Sequence, residues 1–131
     1  MTNKELDKLY KEAVGYHIGK GGVEKSIILA MDCYEEFLDG ATPKHPNYLD
    51  AHHGMAQLCK QMGDMSRDND MAEEAKDWYD RAIKHYETVV VKHKDMAFDD
   101  RLLAEVEYDK LRKELANGGK KKSLFKRLFG K

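Results

Sequence analysis

Apolar side chains recur along most of this chain at steps of three and four, the spacing that places them on one face of an α-helix. Leu6, Leu9, Ala13 and His17 form the first stripe, behind a Thr2-x-x-Glu5 capping box, and Gly19, Gly21 and Gly22 end it. Val23, Ile27, Ala30, Tyr34 and Phe37 form the second, ended by Gly40 and the segment from Thr42 to Asn47. Tyr48, Ala51, Met55, Leu58 and Met62 form the third, with Asn47 placed to cap it and Gly63-Asp64 expected to stop it. A polar loop over Asp64–Asp70 should follow, and Asp70-x-x-Glu73 reads as another helix start. Ala75, Tyr79, Ala82, Ile83, Tyr86 and Val90 make the fourth stripe. After a break at His93-Lys94-Asp95, the pattern predicts a fifth helix over Met96–Ala116 with Ala104, Tyr108, Leu111 and Leu115 on one face. Asn117-Gly118-Gly119 then reads as a C-cap and a flexible joint.

The composition fits an all-α fold. There are two prolines, few Val, Ile and Thr to favour strands, and ten glycines grouped mostly between the stripes. A chain of 131 residues with one composition regime suits a single modest core. Charge divides it more sharply. All 24 acidic residues lie at or before Glu114, with only 17 of the 23 basic ones, so residues 1–115 carry about −7. The remaining six basic residues give the C-terminal end +6. An acidic body repels phosphates, which argues against a nucleic-acid partner. Cys33 and Cys59 fall within helical patterns, and Met1–Glu5 has no apolar leader, so reduced thiols and a cytoplasmic location are expected. No run approaches the roughly 18 apolar residues of a membrane span.

An internal echo organises the stripes. Ala30-x-Asp32-x-Tyr34 followed by Phe37-Leu38 returns 45 residues later as Ala75-x-Asp77-x-Tyr79 followed by Ala82-Ile83. Each copy follows a helix expected to end at glycine, Gly19 or Gly63. The second unit resembles a tetratricopeptide repeat. Met55-Ala56 stands where that family has Leu-Gly, Cys59 where it has an aromatic, and Gly63-Asp64 where it has Gly-Asp. Ala75, Tyr79 and Ala82 match the second helix of the repeat. About seven extra residues before Ala75 and a missing terminal proline depart from the 34-residue period, and the longer spacing overlaps that of HEAT-type repeats. In the first unit only Val14-Gly15 offers a match. The resemblance spans residues 5–92 and implies a right-handed stack of two antiparallel helix pairs, with the fifth helix capping the end of a domain over 1–116. A generic antiparallel bundle is the competing architecture.

In that family the first helix of each pair lines a binding groove. Carried over, the groove positions are Asp50, His53, Gln57, Lys60 and Gln61 in the second unit, and Glu12 and Tyr16 in the first. Three- and four-residue steps put the first set on one helix face, opposite Met55 and Cys59, able to hydrogen-bond an extended segment. The same set also reads as the solvated face of a surface helix.

Residues 117–131 are expected to form the joint and a basic amphipathic tail. If helical, Leu124, Phe125, Leu128 and Phe129 share one face, and Lys121, Lys122, Lys126 and Arg127 fill much of the rest. This suits an anionic membrane surface, a partner's groove, or the groove of a neighbouring copy. The expected partners are therefore a protein or peptide, a second copy of the chain, and peripheral contact with the inner membrane face through residues 120–131.

Chemistry is absent from the pattern. The six histidines and two cysteines show no His-x3-His or Cys-x2-Cys spacing, so no metal or cofactor is expected. His17 and His52 read as packing residues, His85 and His93 as exposed ones. The pairs Glu35-Glu36, Glu73-Glu74 and Asp99-Asp100 are adjacent, which splays them apart on a helix, unlike a general acid/base pair. Gly19-x-Gly21-Gly22 lacks the lysine and hydroxyl of a phosphate loop. The reading is a non-enzymatic scaffold or adaptor, with self-assembly through the tail as the alternative.

Overall fold

The computed structural model describes residues 1–117, and within them the chain is all-helical with no strand. Its elements are α1 (Asn3–Ile18), α2 (Ile27–Gly40), α3 (Tyr48–Asp68), α4 (Ala72–Glu87), a π-helical turn (Thr88–Lys92) and α5 (Arg101–Ala116). Local chemistry explains some of the ends, and the starts of α3, α4 and α5 carry no side-chain cap. The Thr2 hydroxyl accepts from the Glu5 amide at 3.1 Å and the Glu5 carboxylate accepts from the Thr2 amide at 3.3 Å, closing the capping box. Gly19 ends α1 in the left-handed region at φ 73°.

Four boundaries differ from the expectation. α2 starts at Ile27, not Val23, because the Ser26 hydroxyl caps it by accepting from the Leu29 amide at 3.2 Å. α3 does not stop at Gly63-Asp64; it runs to Asp68, so most of the expected loop is helix. The Asp70-x-x-Glu73 box does not form: Asp70 sits at φ 60° in the turn and α4 follows Met71 without a side-chain cap. α5 begins at Arg101, five residues after the expected start. Leu115, placed on its apolar face, is 38% exposed.

α1 packs chiefly on α2 and α3 chiefly on α4, while α2 against α3 joins the two pairs; α5 rests on α4 and the π turn. The core holds Tyr34, Phe37, Met55, Leu58, Cys59, Tyr86 and Leu111, with Ala30, Ala51, Ala56, Ala75, Ala82 and Ala104 where helices draw close. α3 is the central helix, and two glycines make it so. A Cβ on Gly54 would lie 2.7 Å from the Tyr34 ring, and one on Gly63 would lie 2.6 Å from the Tyr79 ring. Gly63 therefore admits a neighbouring ring in mid-helix and ends nothing. The two echoed tyrosines also differ in use: Tyr34 reaches forward from α2 to the next pair, whereas Tyr79 reaches back from α4 within its own pair.

Candidate functional site

The groove residues foreseen on α3 lie on its polar side, and Glu107 of α5 takes up part of it. His53 is 5% exposed. Its Nε2–H donates to Glu107 Oε1 of α5 at 2.8 Å, while the Gln57 side-chain amide donates to Glu107 Oε2 at 3.2 Å. The Tyr86 hydroxyl of α4 adds a third donor to Glu107 at 3.1 Å. Burial would raise the Glu107 carboxyl, but these bonds outweigh it and hold the group below its ordinary value. Three helices are thus tied at one carboxylate. His53 is buried, as Met55 is, so the polar face of α3 is not uniformly solvated.

The other foreseen residues are placed differently. Asp50 is half-buried, and its carboxyl is raised by burial and by the charges of Asp100 and Asp99. Lys60 donates to Asp64 at 2.9 Å along α3, and Gln61 is half-buried beside it. On α1, Glu12 is exposed and Tyr16 is half-buried, its carbonyl accepting from the Ser26 amide at 2.8 Å. The foreseen tail residues, Lys121, Lys122, Leu124, Phe125, Lys126, Arg127, Leu128 and Phe129, lie outside the described residues.

The floor between α1 and α3 is aromatic. Tyr10 packs against Phe37 and Tyr34 with centroids 5.7 and 6.3 Å apart. Tyr34 meets the His17 ring edge-on and hydrogen-bonds its Nδ1 at 3.0 Å. Burial and the charges of Asp50 and Asp100 push the Tyr10 hydroxyl up to about 12. His17 is driven the other way, below its usual value, by burial and by Lys25 and His53. The rim is acidic, with Asp50 from α3, Asp99 and Asp100 ahead of α5, and Glu107. Such a face offers hydrogen-bond acceptors and negative charge to a basic segment. Glu107 already accepts from His53, Gln57 and Tyr86, so Asp50, Asp99 and Asp100 are the freer acceptors of this rim.

Beyond the acidic rim, α5 exposes a run of apolar side chains: Leu102 is 74% exposed, Leu103 49% and Val106 57%. Helical spacing sets Leu103 next to Glu107, with Val106 and Leu102 further round, on the side turned from α4.

Sequence reasoning missed Glu107, Phe98, Tyr86 and Arg101 as builders of this face. Phe98 packs edge-on against His53, centroids 5.8 Å apart. The Arg101 guanidinium donates to the carbonyls of Val89, His93 and Met96, fastening the start of α5 to the π turn. One signal was present: Glu107 sits between Ala104 and Leu111, an acid beside an apolar stripe. His85 and His93, expected to be exposed, are half-buried, because His52, His85, His93 and Tyr48 pack ring to ring. Among the described residues no group of three or more His, Cys, Asp or Glu is arranged to hold a metal ion, and no helix is long and apolar enough to cross a membrane. No family model, no curated protein and no solved structure matches this chain.

Proposed function

We propose that the chain is a non-enzymatic protein-interaction module, a scaffold or adaptor that takes a basic, partly apolar protein segment on the face bordered by α1, α3 and α5. The observation that carries this reading is the exposure of Leu102, Leu103 and Val106 beside an acidic rim. Contiguous apolar surface rimmed by charge marks an interaction site more often than it serves a free monomer. Negative charge at the rim selects a partner of opposite sign and steers its approach.

The two helix pairs fit a tetratricopeptide-like, right-handed stack with α5 covering its end. The 45-residue echo and the close helix contacts at Gly54 and Gly63 support that reading. In this proposal the protein works in the cytoplasm, and the basic tail localises it at a membrane surface or on the partner.

The test is a capture experiment with full-length protein, comparing wild type with the combined L102E and V106E variant. Both positions are exposed, so the circular dichroism and melting temperature should be unchanged. Partners retained by wild type at low salt should be lost from the variant and weakened by salt. An identical set of partners on both proteins would place the binding face elsewhere. Sedimentation at rising concentration tests the alternative: self-association abolished by removing residues 118–131 would favour a chain that assembles through its own tail.

A further inference from the structure

A cavity lies beside His52, between α3, α4 and the π turn. It measures about 560 Å³ and is lined by His52, Arg81, Lys84, His85, Glu87, Thr88 and Lys92. That volume falls within the range of small-molecule sites. Its charge is the reverse of its surroundings, because three permanent cations converge there on a body that carries about −7. We propose that this cavity binds a small phosphate-bearing ligand, its oxyanion held by Arg81, Lys84 and Lys92 over a floor made by the His52 and His85 rings.

The side chains are disposed for this. The Arg81 guanidinium carbon lies over the Trp78 ring, 4.5 Å from its centroid, and one of its nitrogens donates to Glu35 at 3.2 Å, leaving other guanidinium donors. No carboxylate of the described residues lies within salt-bridge distance of Lys84 or Lys92. Glu87, the one acid in the lining, accepts from the Tyr108 hydroxyl at 3.1 Å. Thr88 and Lys92 come from the π turn, and such turns recur where a helix is locally reshaped for a ligand. Cations at the end of α4 also complement its dipole. The dipole does not account for His52, which arrives from α3 with its Nδ1 2.9 Å from the Nδ1 of His85.

That contact makes the floor responsive. Only one of the two facing nitrogens carries a proton. Burial, their mutual repulsion and the nearby His93, Lys92 and Arg81 hold both rings neutral, with values lowered to about 4. An entering phosphate anion offsets this repulsion, so the affinity of the ring pair for a proton rises as the ligand binds. A divalent cation would meet Arg81, Lys84 and Lys92 instead.

The experiment follows the histidine ring signals of the full chain by NMR during titration with inorganic phosphate and, in a second arm, glycerol phosphate. Chloride at matched ionic strength is the control. The His52 and His85 signals should move saturably, with a midpoint at or below about 1 mM. Their titration midpoints should rise in the bound state. A K84A and K92A double variant, changed only at exposed positions, should keep its fold and weaken the midpoint about tenfold or more. A tighter midpoint for glycerol phosphate than for phosphate would assign the rest of the cavity to the organic part of the ligand; equal midpoints would assign a phosphate site alone. Shifts reproduced by chloride, absent altogether, or unchanged in the double variant would overturn the proposal.

Discussion

On one side of α3 the Tyr34 ring rests on Gly54; nine residues on, about two and a half turns and so on the opposite side, the Tyr79 ring rests on Gly63. The packing device is the same, a ring pressed to a helix where no Cβ intervenes. The polar ends differ. Tyr34 shares its hydroxyl with the half-buried His17 ring, while the Tyr79 hydroxyl donates to the Asp64 carboxylate at 2.6 Å. The Tyr34 side joins the two helix pairs, and the Tyr79 side joins a helix to its own partner. One residue type thus carries both the contact within a unit and the contact between units, and the partner across the interface sets which it is.

Truncating either ring is the largest way to break this comparison. Tyr34→Ala and Tyr79→Ala should each cost about 3–5 kcal/mol in urea unfolding, since both rings are buried and leave a void against glycine. A cost under about 1 kcal/mol for Tyr34→Ala would mean that the two pairs do not depend on this joint. Adding a methyl is the next test. Gly54→Ala and Gly63→Ala gain about 1 kcal/mol of helix propensity, yet the new Cβ would lie 2.7 or 2.6 Å from a ring. Overpacking of about 1–3 kcal/mol should outweigh that gain, so both variants melt lower than wild type.

Removing only the hydroxyls sharpens the contrast. Tyr79→Phe loses a bond to a charged acceptor and should cost about 1.5–3 kcal/mol, less whatever Lys60 restores to Asp64; Tyr34→Phe should cost about 0.5–1.5 kcal/mol. Equal costs would show that the charge of Asp64 contributes nothing to the difference.

The last test is in pH dependence, where the sign is shared and the pH window separates two regions. His52 and His85 are lowered from 6.5 to about 4 among Tyr48, His93, Lys92, Arg81, Lys84 and Glu87. The unfolded chain therefore binds their protons first, and stability falls as pH drops from about 6.5 to about 4. Glu107 lies below its ordinary 4.5, so its contribution is present above that value and lost as pH falls through the folded one. His85→Gln should flatten the upper window and Glu107→Gln the lower. An unchanged melting-temperature profile for both would remove these groups from the acid response.

Where a helix lies was legible because its signals are near in the chain. The Thr2 cap, the glycine stop at Gly19 and the apolar stripes act over three or four residues. Asp70-x-x-Glu73 misled because a cap motif competes with the turn that the backbone must make, and Asp70 was needed at positive φ. Gly63 misled for a different reason. Glycine serves both as a stop and as a place of close approach, and only the partner, Tyr79, decides between them. The residues foreseen for a groove were legible as polar positions on α3, but not the fate of each one. Nothing near His53 in sequence announces Glu107, 54 residues away, which converts an apparently solvated histidine into a buried bond between helices.

The sequence by itself determined the all-helical class, the core face of each helix and the acidic body ahead of a basic end. These follow from periodicity and charge, which need no knowledge of the neighbours. Tertiary structure alone decided that α3 is central, that its polar face is partly claimed by α5, and that a π turn held by Arg101 opens a cationic cavity on the other side. Each of these depends on groups that meet across long loops of chain, where packing and desolvation choose among pairings that local spacing leaves equal.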